Sequence, residues 1–176
     1  DNAPGWQGTV NKIRIGSDGL PVIVYFDANA GIIKTAHCGN ILCNANNTIT
    51  NVYSLPIVWN PYLSFTIGRD GLPFISFYEK DAVISGNLRF DRLSVIHCGN
   101  ILCSSGNTFN DLGIIALEPS SPQANFPTSV ILGSDGLPLI AYVDMTNQNY
   151  QNRELRIVKC SNILCTSYTA TTIAGE

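Results

Sequence analysis

The sequence predicts an all-β fold of three four-stranded antiparallel blades, propeller-like in their stacking, each with a local disulfide hairpin. Three observations predict it. A turn-and-strand motif recurs as IGSDGLPVIVYFD at Ile15–Asp27, IGRDGLPFISFYE at Ile67–Glu79 and LGSDGLPLIAYVD at Leu132–Asp144; copies of one unit have to be recognised before anything else is read. A cysteine motif follows each copy, as HCGNILC at His37–Cys43 and at His97–Cys103, and as KCSNILC at Lys159–Cys165. Charged residues make up only 13% of the 176 and apolar ones 45%, with Val, Ile, Thr and Tyr in short runs, which suits strands rather than helices or disorder.

Each turn is an Asp-Gly between apolar runs (Asp18-Gly19, Asp70-Gly71 and Asp135-Gly136), the strongest short-range hairpin signal. Glycine accepts a positive φ there at no steric cost. Proline heads the second run each time, where a strand can spare its N–H. That run does not alternate apolar with polar, so both of its faces are expected to be buried.

In chain order, Asp1–Gln7 reads as an extended arm with Trp6 as an apolar anchor. The first blade, about 8–54, has strands at Thr9–Ile15, Pro21–Phe26, Ile32–Cys38 and Thr48–Tyr53. Leu55–Tyr62, with two prolines, links it to the second blade, about 62–117. There the strands fall at Leu63–Ile67, Pro73–Tyr78, Leu88–Cys98 and Thr108–Leu117, with a loop at Glu79–Asn87. A second proline-rich crossover, Glu118–Pro127, leads to the third blade, about 126–174. Its strands are Ser129–Leu132, Pro138–Val143, Glu154–Cys160 and Ser167–Ile173, with a polar loop at Met145–Arg153. Residues 1–176 are expected to form a single repeat domain. The Thr- and Asn-rich fourth strands suit a rim, and twelve short strands with regular turns suit stacked blades.

All six cysteines sit in C-x4-C pairs, one per repeat. Partners across so short a turn are within disulfide reach, so the expected bonds are Cys38–Cys43, Cys98–Cys103 and Cys160–Cys165. Zinc is the competing reading because His37 and His97 precede the first cysteine. Against it, the spacing is not that of a zinc knuckle and the third copy has Lys159 in that place. Disulfides imply an oxidising compartment, hence a secreted or cell-surface protein. A chain starting at Asp1, without Met or an apolar leader, fits a mature start after signal removal, or a trimmed one. The net charge of −3 argues against nucleic acid, and no apolar run approaches the ~20 residues of a membrane helix. No motif calls for a cofactor.

The pattern G-x-D-G-L-P-x-I-x-[YF], then a hydrophobic strand ending in C-x-N-x-x-C and a Thr-rich strand, resembles the repeats of large secreted or surface proteins from environmental bacteria and archaea. The resemblance spans about Val10 to Ile173. It implies β-propeller-like blades and says little of activity.

Three blades are few for a closed propeller, and the end units of an open array expose an apolar face. The expectation is therefore a non-catalytic, self-assembling structural or adhesive subunit, in a filament, a coat or a closed oligomer. Open faces are expected at Val22, Val24, Leu139 and Ala141, with the Asp1–Gln7 arm able to add an edge strand to a neighbour. The rival is a lectin-like propeller stacking aromatic rings on carbohydrate, with Trp59, Tyr62 and Tyr150 as ligand-binding candidates and Trp6 and Tyr53 behind them. A glycoside hydrolase-like propeller ranks third. The acids at Asp18, Asp70 and Asp135, and again at Asp27, Glu79 and Asp144, recur in every unit and read as structural, the second set bonding backbone N–H groups at the strand exit. Asp81, Asp91, Asp111, Glu118 and Glu154 form no recognisable catalytic pair. Asn46-Asn47-Thr48 is a glycosylation sequon that places a candidate glycan on Asn46.

Overall fold

The computed structural model describes residues 7–55, 61–85, 88–117, 127–144 and 153–175. Twelve strands make three separate four-stranded sheets, every neighbouring pair antiparallel. The first blade consists of β1 (Gln7–Ile15), β2 (Pro21–Asp27), β3 (Ile32–His37) and β4 (Thr48–Ser54). The second consists of β5 (Leu63–Ile67), β6 (Pro73–Ser85), β7 (Leu88–His97) and β8 (Thr108–Leu117). The third consists of β9 (Ser129–Leu132), β10 (Pro138–Asp144), β11 (Glu154–Cys160) and β12 (Tyr168–Ala174). Strands follow chain order across each sheet. The first strand of the middle blade, β5, lies against β1 and against β9, while β12 is exposed along its whole length at the rim. No helix is present among the described residues.

Strand edges differ slightly from those expected, with one larger change. The segment expected as the loop Glu79–Asn87 is mostly strand: β6 runs on to Ser85 and pairs with β7 through Ala82↔Phe90, Val83↔Arg89 and Ser85↔Leu88. A facing run in β7 lets this backbone satisfy its hydrogen bonds as an extended hairpin, with register shifts between Glu79 and Ala82 and between Val83 and Ser85. The arm residues 1–6 and residues 145–152 of the third blade's loop lie outside the described residues.

The two faces of each blade have separate partners. Val22, Val24, Phe26 and Ile33 of the first blade pack on Leu63, Phe65, Ile75, Phe77 and Ile96 of the second. On the second blade's other face, Phe74, Tyr78, Leu93, Val95 and Leu112 pack on Val130, Ile140, Tyr142 and Val158 of the third. Fully burying a side chain such as Phe65 or Phe74 contributes about 1.5–3 kcal/mol, so these two interfaces are the core.

The expectation of a second strand buried on both faces holds in the middle blade, where Pro73 through Glu79 are all buried. It fails in the third: β10 alternates, with Pro138, Ile140, Tyr142 and Asp144 buried and Leu139, Ala141 and Val143 half-exposed. The open face there is the one expected. In the first blade it is not, since Val22 and Val24 are fully buried against the second blade. The open side carries their neighbours: Ile13 sits opposite the half-buried Ile23, and Ile49 lies beyond Ala36 in the same row.

Candidate functional site

Both repeated motifs lie at one end of the blades, because the first and third hairpin connections of a four-stranded meander leave on the same side. In each turn the aspartate Oδ1 accepts the amide of the residue two ahead: Leu20 at 3.1 Å, Leu72 at 3.2 Å and Leu137 at 3.0 Å. Gly19, Gly71 and Gly136 have φ of +80°, +80° and +74°. The earlier glycine has another task. A Cβ on Gly16, Gly68 or Gly133 would stand 2.8, 2.5 or 2.9 Å from the same Oδ1, so the aspartate needs that gap to fold back.

A basic side chain on the third strand then closes over each carboxylate. His37 Nε2 lies 2.7 Å from Asp18 Oδ2, His97 Nε2 2.7 Å from Asp70 Oδ2, and Lys159 Nζ 2.6 Å from Asp135 Oδ1. This explains why lysine can replace histidine in the third copy. Desolvation pushes the Asp18 carboxyl up, but the Leu20 amide and His37 outweigh it and hold it below the ordinary carboxylate range. Lys159, with the Leu137 amide, lowers Asp135 too.

The disulfides are Cys38–Cys43, Cys98–Cys103 and Cys160–Cys165, as expected, with Cα atoms 4.7, 4.8 and 4.8 Å apart. Their sulfurs are therefore not free to hold zinc. Inside each ring one asparagine organises the backbone. Asn40 Oδ1 accepts the amides of Leu42 and Asn44, Asn100 those of Leu102 and Ser104, and Asn162 those of Leu164 and Thr166. The second cysteine sits at φ of +53°, +53° and +57°, a region non-glycine residues seldom enter. Asn46 (φ +55°) occupies the place taken by Gly106 in the next blade and is exposed, so the sequon asparagine lies on the surface.

In the second and third blades the ring docks on the blade before it. The Thr35 hydroxyl donates to Leu102 O at 2.9 Å, and Asn110 Nδ2 to Leu164 O at 2.8 Å. Ile101 closes on Gly16, where an added Cβ would meet its Cδ1 at 3.1 Å. The turns touch as well: Ser17 Oγ donates to Gly71 O at 3.0 Å, and Arg69 lies across Gly136. On the inner strands, Arg14 stands 5.8 Å over the Phe65 ring. In the first blade the same Ile-Leu pair docks on nothing among the described residues, and Ile41 and Leu42 are 67% and 75% exposed. Nine of the ten strongly exposed large hydrophobic side chains among the described residues belong to the two end blades.

At the opposite end, Asp27, Glu79 and Asp144 are buried. Asp27 Oδ1 accepts the amides of Asn29 and Ala30, the role expected of all three. Each also takes a third-strand cation that sequence reasoning missed: Lys34 Nζ at 2.7 Å, Arg92 Nη2 at 2.6 Å and Arg156 Nη1 at 2.6 Å. The available signal was a Lys or Arg inside each third strand, at Lys34, Arg92 and Arg156. Arg92 also reaches Asp111 at 3.1 Å, and Glu154 accepts the Thr172 hydroxyl at 3.0 Å. Asp91 is buried. The side chain of Asp81, and Glu118 as a whole, lie outside the described residues.

Of the aromatic candidates, Trp6, Trp59 and Tyr150 lie outside the described residues, and Tyr62 is half-buried just ahead of β5. Tyr53 is a packing residue: it stacks on Phe109 at 5.0 Å between ring centroids and tilts against Phe77 at 5.5 Å.

No protein-family model and no curated protein sequence matches the chain. Its fold is shared with solved structures. One is an α-L-arabinofuranosidase from Lactobacillus brevis, with TM-score 0.55 and 14% identity, the match covering 92% of this chain and 52% of that one. Another is an endo-1,4-β-xylanase from Bacteroides thetaiotaomicron VPI-5482, with TM-score 0.54, 12% identity and coverage of 94% and 54%. The chain spans about half the length of the structures it matches, and at such identities the likeness is one of fold.

Proposed function

We propose that the chain is a non-catalytic structural subunit of a secreted or cell-surface assembly, working by self-association through the faces of its end blades. One observation carries this reading: among the described residues the exposed large apolar side chains are concentrated on the two end blades, and Phe109 is the one such side chain described on the middle blade. Exposed apolar side chains gathered on the end blades suit an interaction site better than a solvated face. The three disulfides call for an oxidising compartment and support the extracellular part of the reading. The acids recurring at both blade ends support the non-catalytic part, since each is engaged by a basic side chain of its own blade.

Sedimentation of the chain across a wide concentration range tests it. Association that grows with concentration is the expected result; a chain that stays monomeric throughout overturns it. The second reading, a carbohydrate-binding propeller, is favoured by the fold shared with an arabinofuranosidase and a xylanase. Retardation in gels cast with arabinan or xylan, abolished by Tyr62→Ala, would move the assignment there, and release of reducing sugar would make it a hydrolase.

A further inference from the structure

Blades one and two meet in the same way as blades two and three, and that contact has a direction. The forward face of a blade presents Val22, Val24 and Phe26, or their counterparts Phe74, Ser76 and Tyr78. It receives three things from the blade ahead: an inner-strand side chain, the glycine of the Asp-Gly turn and the Ile-Leu pair of the disulfide ring. Among the described residues, the third blade shows a forward face that no blade covers, and the first blade shows these three features without a blade to receive them. The two ends of the molecule are thus the two halves of a contact that the molecule already makes twice.

We infer that the open face of the third blade binds the first blade of a second copy of this chain, head to tail, repeating the internal contact. This rests on the self-association proposed above and adds its polarity and its residues. Register places the partners. Ile131 occupies the position of Arg14, which covers Phe65, and Ile13 occupies the position of Phe65. Both isoleucines are more than half exposed, at 57% and 54%, and the repeated contact sets one on the other. Ser134 stands where Ser17 does, two residues ahead of the turn glycine, and would donate to Gly19 O of the second copy as Ser17 donates to Gly71 O. A Cβ on Gly19 meets nothing within 4 Å in the single chain, whereas Gly71 and Gly136 are each covered by the blade behind. Thr171 lies opposite Ile157 as Asn110 lies opposite Val95, so its hydroxyl faces the place where Leu42 O arrives. The exposure of Ile41 and Leu42, in a ring whose copies are docked in the other two blades, is the feature this contact removes.

A head-to-tail contact makes a prediction about mixing that a symmetric one does not. Leu42→Asp disables the first blade's side and leaves the third blade's face intact; Ile131→Asp does the reverse. Both side chains are exposed, so the blades themselves are unaffected, which unchanged near-ultraviolet circular dichroism and melting check. Ile41→Asp and Ser134→Arg are the substitutes should either variant misfold. At concentrations where the native chain associates, each variant alone should sediment as a monomer, and an equimolar mixture should give a one-to-one dimer and nothing larger. If either variant alone associates as the native chain does, or the mixture stays monomeric while the native chain associates, the head-to-tail contact is wrong and self-association by another surface stands. If the native chain never associates, both are overturned.

Discussion

Each Asp-Gly turn is held by one carboxylate doing two things, accepting a leucine amide and meeting a basic third-strand side chain. Asp70→Ala removes both bonds and should lower stability by roughly 1 kcal/mol, read by denaturant titration. His97→Ala should cost less, and His97→Lys should recover most of the loss, since Lys159 fills that role in the third blade. Acid tests the same pairs. Asp18 and Asp135 bind protons less readily in the native chain than at their ordinary value of 3.8. The stability they contribute is therefore complete above that value, where both states are ionised. It is lost as pH falls through the depressed native values, because the unfolded chain takes up protons first. A melting temperature followed from pH 6 to about pH 2 should fall below about pH 4, and the double variant Asp18→Asn, Asp135→Asn should fall less over that interval. These pairs were invisible to sequence reasoning. Asp18 and His37 are 19 residues apart, and Asp70 and His97 27 apart. Only the register of β2 on β3, and of β6 on β7, brings them together.

At the scale of strands and hairpins far more was legible. The Asp-Gly turns, the proline heading each second strand and the cysteine pairs place nearly all twelve strands and all three disulfides, because these are signals between near neighbours in sequence. The order of strands within each sheet follows from the short hairpins for the same reason. What failed was parity. Apolar residues on both sides of Pro21–Asp27 do not say which side meets the next blade, so Val22 and Val24 were assigned to an open face when they are core. The interface between the second and third blades also holds polar clamps that no pattern announces. The Tyr78 hydroxyl donates to Val143 O and accepts from Val143 N, both at 2.9 Å. Burial pushes that phenol up, so it stays protonated and able to donate. Tyr78→Phe should cost about 1–3 kcal/mol, more than an exposed Tyr→Phe change, since it leaves two backbone groups without their partner. Hydrogen exchange should show the loss first at the Val143 amide.

Over the whole molecule, the three sheets share no strand hydrogen bonds, and their cohesion comes from side-chain packing and from loops that cross between blades. The disulfide rings belong to those crossings. No strand of any sheet lies between the partners of a bond, which are only 5 residues apart. Cutting one would therefore break no ladder. It would release the second cysteine from its left-handed backbone and let the loop lose the shape that carries Leu102 to Thr35, or Leu164 to Asn110. In mechanical terms the rings stiffen the joints and leave the plates alone. Mild reductant should loosen the articulation between blades while each sheet keeps its far-ultraviolet signature. Limited proteolysis would show this as new cleavage within residues 99–107 and 161–167 before any within the strands. Simultaneous loss of both would mean that plates and joints are one cooperative unit.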